Sequence, residues 1–254
     1  MTLTRPIGAE EPIRAPHAVL DSYYDNEKGK RGFVQGIFDA TAADYDRVDR
    51  LLAFGSGSWY RRQALLRAGL APGMGVLDVA VGTGLLSRQI VRILGNSRDV
   101  IGIDPSAGML ASSTSSLAIS LLRGRAEALP FAAASFDFLS LGFALRHVED
   151  MEGVFREFRR VLKPGGRLLA LEITRPESSL ANALLRFYMR GMVPLMSRVV
   201  ARHRSTPCLY RYYWDTIEAC APPERVLATL ASAGFERVRR HVELGIFSEY
   251  LARA

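Results

Sequence analysis

Apolar residues alternate along the middle of the chain between short continuous runs and longer stretches with helical spacing. The runs typical of buried strands lie at Gly75–Ala80, at Asp99–Asp104, near Ile119, at Phe136–Phe143 and at Gly166–Ile173. Helices are expected in the intervals, from Leu85, from Ser106 and over Met151–Leu162. Strands that alternate with helices at this spacing indicate parallel strands joined by crossover helices. The pattern therefore predicts a doubly wound α/β fold.

The pattern changes on both sides of this alternation. Helical spacing over 33–52 and 59–68 predicts a helical cap at residues 33–70. Residues 175–215 are amphipathic, rich in Met and Arg and broken near Pro194, which predicts an inserted segment that interrupts the sheet. A helix at Pro223–Ala233 then leads into two short strands, which we expect to pair antiparallel around Gly245.

Composition favours one globular domain. Residues 1–32 are rich in proline and charge without a period and predict a loose arm, whereas residues 33–254 can form a single domain. No apolar run approaches the roughly 18 residues of a membrane span, and the N-terminus has no signal-peptide pattern, so we expect a cytoplasmic protein. Cys208 and Cys220 have no metal-ligand spacing, which predicts reduced thiols and no metal site.

The chain is basic, with a formal net charge of +7 and a pI near 9.7. Such a balance favours an acidic partner, either nucleic acid or an anionic membrane surface, although a solvated basic surface is the commoner cause. Charge by itself does not choose among these alternatives.

The stretch from Val76 to Val91, VLDVAVGTGLLSRQIV, predicts a ligand site because it leads from a buried strand through a glycine turn into a helix. Backbone N–H groups and the positive end of the helix favour a polar or anionic group there. The third glycine of a dinucleotide fingerprint is replaced by Ser87, and no Gly-Lys-Ser/Thr of a phosphate-binding loop follows. Instead, Asp78 ends this strand and Asp104 ends the next.

These two acids indicate which ligand binds. A carboxylate at Asp78 would repel a pyrophosphate but suits a ligand with a charged amino group or a sulfonium, such as S-adenosylmethionine. Asp104 can accept hydrogen bonds from both hydroxyls of a ribose. Its alternative role is that of a helix N-cap, since Pro105 suits the first position of a helix.

Four segments carry a family resemblance: VLDVAVGTG, GIDPSAGML, RAEALPFAAASFDFLSLGFALRHVED and FREFRRVLKPGGRLLALEITRP. In this order they resemble the motifs of class I methyltransferases, most closely the ubiquinone/menaquinone biosynthesis C-methyltransferases (UbiE type). Upstream IFDATAADYDRVDRLLAFGSGSWYRR and downstream YRYYWDTIE extend the resemblance over roughly Phe33 to Ala254. It implies a Rossmann-like seven-stranded sheet with antiparallel C-terminal strands, S-adenosylmethionine as cofactor, and C-methylation of a quinone or a related aromatic small molecule.

Carried over position by position, the resemblance implies a set of cofactor contacts. The expected residues are Tyr45, Asp78, Ala80, Gly82, Thr83, Gly84, Asp104, Pro105, Met109, Arg125, Ala126, Gly142 and Phe143. Arg125 stands where the family tends to have Asn or Asp, and Gly142 stands where a member can have Ser. Ala80 and Val81 occupy positions that are often glycine.

Methyl transfer from a sulfonium is an in-line displacement, for which the protein supplies positioning and a dry site. A phenolic acceptor also needs a donor that stabilises its oxyanion and a base that removes the ring proton. Arg146 and His147 follow the end of the fourth strand, where ligands bind in open α/β sheets. The resemblance implies a role for Arg146 in this proton chemistry, the alternative being an anchor for Glu149 or Asp150. His147 is the candidate catalytic base, although it stands where the family often has Asn.

Aromatic and methionine side chains are the candidates for the acceptor site. We expect it to be lined by Phe38, Phe54, Trp59, Tyr188, Met192 and Tyr212. Phe54 and Trp59, like Tyr45 and Asp46, have packing of the first helix as their alternative role. The Met- and Arg-rich stretch at 184–204 suits a lid over a greasy tail, and also peripheral contact with the inner face of a membrane.

Other functions remain open at this point. An O- or N-methyltransferase of a secondary metabolite would share the cofactor site. A nucleic-acid N-methyltransferase would usually carry an Asn/Asp-Pro-Pro-aromatic turn after the fourth strand, where this chain has LGFALR, so nucleic acid is disfavoured. A non-catalytic S-adenosylmethionine-binding protein or an NAD-dependent protein is the third class, and the missing glycine disfavours NAD.

Overall fold

The computed structural model describes residues 15–52, 55–115 and 117–254. Within this part of the chain the strands are β1 (Val76–Val79), β2 (Val100–Asp104), β3 (Ser120–Arg123), β4 (Phe136–Gly142), β5 (Leu162–Ile173), β6 (Glu236–Glu243) and β7 (Phe247–Arg253). They form a seven-stranded sheet in the order β3-β2-β1-β4-β5-β7-β6. Strands β1 to β5 are parallel, and β7 pairs antiparallel with both β5 and β6. The predicted doubly wound sheet with antiparallel C-terminal strands is confirmed.

Helices cover both faces of this sheet. They are α1 (Glu27–Leu52), α2 (Gly57–Arg67), α3 (Leu85–Leu94), α4 (Ala107–Thr114), α5 (Met151–Val161), α6 (Ser179–Arg186), α7 (Val193–Val200), α8 (Thr206–Ala219) and α9 (Pro223–Ser232). A 3₁₀ turn at Leu145–His147 follows β4, and a π-helical segment at Phe187–Met192 joins α6 to α7. Within the described ranges, no helix has the length and apolar character needed to cross a bilayer.

The central strands are apolar throughout because both faces of the sheet are covered. On one face, Phe155 and Phe158 of α5 are fully buried against Leu77 and Leu139 of the sheet. On the other, Ile90 of α3 lies in a second cluster. Burial of apolar surface contributes about 25 cal/mol per Å² to stability. The apolar faces of α3 and α5 therefore determine the side of the sheet on which each helix packs.

The structure differs from the prediction of a loose arm at residues 1–32, as far as these residues are described. Helix α1 begins at Glu27, before the predicted start at Phe33. His17 is buried, and the carbonyl of Pro16 accepts a hydrogen bond from the Ala221 amide at 2.7 Å. The Tyr23 hydroxyl donates to Asp215 at 2.6 Å. Long-range contacts with α8 and α9 order this segment, and a criterion based on local composition does not detect such contacts.

The inserted segment is helical, as predicted, but it does not break at Pro194. The helix continues through the π-helical segment Phe187–Met192 into α7, in which Pro194 occupies the first turn. Proline has no backbone N–H and would leave a regular α-helix without one hydrogen bond. It is tolerated here because the preceding π-type turn already has a different hydrogen-bonding pattern. Met189 and Val193 pack on a cluster with Trp214 of α8 and Val48 of α1.

Candidate functional site

A cleft opens at the carboxyl ends of β1, β2 and β4, with α1 along one side. Its polar part is formed by Asp78, Ala80, Gly82, Thr83, Asp104, Pro105, Met109, Arg125 and Ala126. Its apolar and aromatic part includes Val34, Phe38, Tyr45, Gly142, Phe143, His147, Leu171 and Tyr213. This is the edge at which ligands bind in open α/β sheets.

The glycine turn contributes backbone to the cleft. Gly82 has a φ of +56°, and a Cβ built on it would meet nothing closer than the Ala80 carbonyl oxygen at 3.9 Å, so this position faces open space. Gly84 has a φ of +85°, and its Cβ would lie 2.1 Å from Leu117 Cδ1. Gly84 does not line the cleft. It is required instead for the left-handed start of α3 and for packing.

Asp104 links the two turns that border the cleft. Its Oδ2 accepts the Gly82 amide at 2.8 Å, and its Oδ1 accepts the Ser106 amide at 2.8 Å. The alternative role of Asp104 as a helix cap is wrong, because Ser106 is the N-cap of α4 and its Oγ accepts the Met109 amide at 3.0 Å. Each carboxylate oxygen of Asp104 keeps acceptor capacity for a further donor in the cleft.

Asp78 is a buried carboxylate held by two serines. Its Oδ2 accepts from the Ser87 hydroxyl at 2.5 Å and its Oδ1 from the Ser140 hydroxyl at 2.6 Å. Ser87, which breaks the dinucleotide fingerprint, therefore positions the acid at the end of β1. Burial raises the pKa of Asp78 to about 6, and burial likewise raises the pKa of Asp104 to about 6. Both carboxylates therefore titrate close to neutrality.

Helix α1 is docked onto both turns by two acids that the sequence reasoning did not assign to this role. Asp39 Oδ1 accepts the Ser106 hydroxyl at 2.6 Å and the Gly108 amide at 2.8 Å. Asp46 accepts the Thr83 hydroxyl and pairs with Arg88 at 2.9 Å. The two acids stand seven positions apart in the sequence, on one face of a helix, and this spacing is a signal that could have revealed them.

His147 lies in the aromatic part of the cleft, with the Phe38 ring edge-on at 5.4 Å between centroids. Its Nδ1 is 3.3 Å from the Tyr212 hydroxyl oxygen, and its Nε2 has no hydrogen-bond partner among the described residues. Burial, with nearby Arg146 as a second cause, lowers the pKa of His147 well below its usual value. The imidazole is therefore neutral.

Arg146 is fully buried behind the cleft and does not line it. Its Nη1 lies 2.6 Å from Glu172 Oε2, and the guanidinium carbon is 4.8 Å from the centroid of the Tyr213 ring. The alternative role predicted for Arg146, an anchor for Glu149 or Asp150, is wrong. Glu149 instead binds Arg31 at 2.7 Å and Arg125 at 2.9 Å, whereas Asp150 caps α5.

Four of the acceptor-site predictions that fall on described residues lie outside the cleft. Trp59 is 58 % exposed on α2, Met192 and Tyr188 lie in the π-helical segment, and Tyr212 is buried behind His147. Phe54 lies outside the described residues. Phe38 is the predicted acceptor residue that the structure brings into the cleft, and the neighbouring Tyr213 takes the place expected of Tyr212. No described residues form a group of His, Cys, Asp and Glu suited to a metal ion.

A cationic side chain in the cleft escaped the sequence reasoning. Arg61 of α2 lines it, with its guanidinium 5.6 Å from the centroid of the Phe143 ring and 2.7 Å from Asp49 Oδ1. The sequence shows two consecutive arginines in SWYRR, and nothing in it indicates which of the two points into the cleft.

The sheet order, the glycine turn and the acid at the end of β2 define a Rossmann-like S-adenosylmethionine-dependent methyltransferase. The model of the ubiE/COQ5 methyltransferase family matches residues 24–252, and the chain belongs to this family. It is 32% identical over 236 residues to the ubiquinone/menaquinone biosynthesis C-methyltransferase UbiE of Pseudoalteromonas translucida, covering 90% of this chain and 92% of that one. The predictions of the family, the enzyme class and the cofactor are confirmed.

A further relative supports this assignment, and solved structures support the fold. The protein of the same name from Pseudomonas paraeruginosa is 35% identical over 224 residues, covering 85% of this chain and 86% of that one. A methyltransferase structure from Thermotoga maritima aligns with a TM-score of 0.60 at 22% identity, over 86% of this chain and 98% of that one. The cyclase SpnF aligns with a TM-score of 0.63 at 16% identity, over 94% of this chain and 98% of that one. At these identities, the structures support the fold.

Proposed function

We propose that this protein transfers the methyl group of S-adenosylmethionine to a ring carbon of a demethylated quinol with an apolar tail. The observation that carries the proposal is a single cleft that joins two buried carboxylates at one part to an aromatic surface with a neutral histidine at the other. The relatives named for ubiquinone and menaquinone biosynthesis support the choice of acceptor.

The residues at the polar part fit the cofactor. Gly82 leaves open space where a side chain would stand, and Asp104 has unused acceptor capacity for ribose hydroxyls. Asp78 places negative charge where the amino group of the methionine moiety would lie. The bound cofactor supplies an electrophilic methyl group. Arg125 cannot accept a hydrogen bond from adenine, and its guanidinium is held by Glu127 and Glu149.

At the aromatic part, the chain's own residues can handle the acceptor's proton. In the tautomer whose Nδ1–H donates to the Tyr212 hydroxyl, the buried His147 Nε2 has no other partner and can accept the proton of a ring hydroxyl. Loss of that proton makes the adjacent ring carbon nucleophilic. The Tyr213 hydroxyl donates to the Tyr45 hydroxyl at 3.1 Å, which leaves the Tyr45 hydrogen available for the resulting oxyanion. The Phe38 and Phe143 rings line this part of the cleft and would shield the reacting groups from water.

Product analysis tests the proposal directly. Purified protein would be supplied with S-adenosylmethionine carrying a labelled methyl group and with a panel of demethylated benzoquinols and naphthoquinols. We expect the label on a ring carbon, identified by mass spectrometry and by the carbon NMR shift of the methyl group. A label on oxygen or nitrogen would favour the alternative, a methyltransferase of secondary metabolites. Binding of the cofactor without transfer to any acceptor would contradict the C-methylation proposal.

Asp104→Ala is expected to weaken S-adenosylmethionine binding by about 2 kcal/mol or more, because it removes the proposed ribose hydrogen bonds and loosens the Gly82 turn. Calorimetry measures the change. Asp137→Ala is a suitable control, because this acid also accepts a backbone amide, that of Gly75 at 2.9 Å, but does not line the cleft. An unchanged affinity in folded Asp104→Ala would restrict Asp104 to holding the two turns together.

Cofactor affinity should rise as the pH increases from about 5 to 7. The pKa values of Asp78 and Asp104, each raised to about 6 by burial, mean that a cationic ligand meets ionised carboxylates only at the upper end of this range. The free energy of unfolding of the cofactor-free protein should instead fall as pH rises from about 4 to 6, because the folded state holds these protons more tightly than the unfolded chain. Calorimetry across this range checks the affinity. A flat profile would contradict the proposed role of the two acids.

The proposal includes the enzyme's location. An acceptor with an isoprenoid tail resides in a bilayer, so we infer that the protein works in the cytoplasm in reversible contact with the inner face of an anionic membrane. Its net charge of +7 supports this contact. Electrostatic attraction of this kind fades as salt is added.

A further inference from the structure

The α6–α7 run carries an apolar stripe that no other described element covers. Its members are Leu180, Leu184, Phe187, Leu195 and Val199. Their exposed fractions range from 60 % at Leu184 to 85 % at Val199. Large apolar side chains scattered singly on a surface are normal, but several exposed ones at helical spacing along one run make a candidate interaction surface.

The π-helical segment keeps this stripe on one side of the run. Residues four apart on an α-helix drift gradually around its axis, which would turn Leu195 and Val199 away from Leu180 and Leu184. A π-type turn contains more residues than an α-helical turn, so the segment Phe187–Met192 offsets this drift. The opposite side of the run is buried through Met189 and Val193. The run is therefore apolar on both sides, one packed on the protein and one exposed.

A basic site adjoins the C-terminal end of the stripe. The arginine pocket is lined by Arg198, Arg202, Arg204 and Arg211, together with His203 and Pro207. Among the described side chains, no carboxylate lies at ion-pair distance from these four arginines. In contrast, two exposed arginines within the run are paired, Arg186 with Glu218 at 3.9 Å and Arg190 with Asp215 at 3.8 Å.

The backbone that displays the pocket is fixed by a buried acid of α1. Asp44 Oδ2 accepts the amides of Arg202 at 2.8 Å and His203 at 2.7 Å, and also the Thr206 hydroxyl at 3.2 Å. The loop between α7 and α8 therefore presents its arginines from a preformed backbone. Guanidinium groups bind phosphate oxygens in a two-pronged geometry, which suits lipid headgroups.

We propose that the apolar stripe and the arginine pocket together form the surface by which this protein docks on an anionic phospholipid bilayer. The stripe enters the boundary between headgroups and acyl chains, and the pocket binds headgroup phosphates beside it. Charge complementarity decides between occupants: a second copy of this chain would bring its own unpaired arginines to the same face, whereas an anionic bilayer neutralises them. The inference rests on the proposed function, because docking on a bilayer would place the enzyme beside a membrane-resident acceptor.

Vesicle sedimentation of the full chain tests the surface without methyl transfer, so its failure and that of the proposed function are distinguishable. The probes are phosphatidylcholine vesicles with and without phosphatidylglycerol. Arg202→Gln with Arg204→Gln should weaken binding to the anionic vesicles about 30-fold, at roughly fivefold for each arginine near the surface. Leu184→Gln with Phe187→Gln should weaken it at least about tenfold through lost apolar burial.

Matched substitutions elsewhere provide the controls. Arg92→Gln with Arg98→Gln removes the same charge from other exposed positions, and Leu244→Gln removes a side chain that is 76 % exposed in the β6–β7 turn. Both should bind vesicles as the parent protein does, and all variants should keep their affinity for S-adenosylmethionine. Three outcomes would overturn the proposal. The parent protein could bind neutral vesicles as well as anionic ones, or the control variants could lose as much binding as the test variants. The parent protein could also be a dimer that Leu184→Gln with Phe187→Gln converts to a monomer.

Discussion

Arg146→Ala is expected to lower the free energy of unfolding by about 3 to 5 kcal/mol, because it leaves the buried Glu172 carboxylate without its cation. The two side chains are 1% and 3% exposed and lie 2.6 Å apart, so neither can exchange its partner for water. The guanidinium also packs on the Tyr213 ring, which lines the cleft. Urea denaturation followed by circular dichroism measures the loss.

Two further variants separate the structural role from a catalytic one. Arg156→Ala removes an exposed arginine that pairs with Glu152 at 3.2 Å, and it should change stability by no more than about 0.5 kcal/mol. Arg146→Met combined with Glu172→Leu removes both buried charges and should recover much of the stability that Arg146→Ala loses. If Arg146→Ala kept full stability and lost turnover by about a hundredfold, Arg146 would take part in the proton chemistry, as the family resemblance implies.

The order of strands and helices is predictable from the sequence because each element has its own periodicity. Buried parallel strands such as β1 and β4 read as continuous apolar runs, and α5 repeats its apolar residues at helical spacing. The boundaries of β5 are less predictable. Its pairing begins at Leu162, directly after α5, and the strand continues through Gly165, which has a φ of +78°. A proline followed by two glycines indicates a turn, and only pairing with neighbouring strands reveals a bulge.

The polar part of the cleft is predictable because it depends on local backbone geometry. The spacing of Asp78, Gly82 and Asp104 follows from the lengths of one strand, one turn and one crossover helix. The aromatic part depends on how α1 and α8 pack across the sheet. Neither Tyr212 nor Tyr213 has a sequence signal that says which ring enters the cleft, and the structure turns Tyr213 inward and leaves Tyr212 behind His147.

Glu172 illustrates the same limit. Its position in the apolar run LLALEI marks it as an acid in a buried strand, and a buried charge requires a partner. The partner, Arg146, is 26 residues away along the chain. It reaches Glu172 because β4 and β5 are neighbours, and Glu149 and Asp150, which are closer in sequence, are engaged elsewhere.

His147→Ala should lower kcat for methyl transfer by about a hundredfold or more, with little change in S-adenosylmethionine affinity. The imidazole stands among Phe38, Tyr212 and Tyr213, away from the carboxylates that we assign to the cofactor. Its pKa is already far below its usual value, so the base is present in its active form at neutral pH and the rate should not fall between about pH 8 and 6 through protonation of this group. Single-turnover kinetics with a quinol identified by the acceptor panel measure the transfer step.

His147→Asn distinguishes proton removal from simple hydrogen bonding. An amide can accept a hydrogen bond from the acceptor's hydroxyl but cannot take up its proton. We therefore expect His147→Asn to be nearly as slow as His147→Ala, whereas Tyr212→Phe, which removes only the hydroxyl 3.3 Å from Nδ1, should retain most of the activity. If His147→Asn kept the parent rate, the proton would leave by another route, and His147 would serve to position the acceptor beside Phe38 and Tyr213.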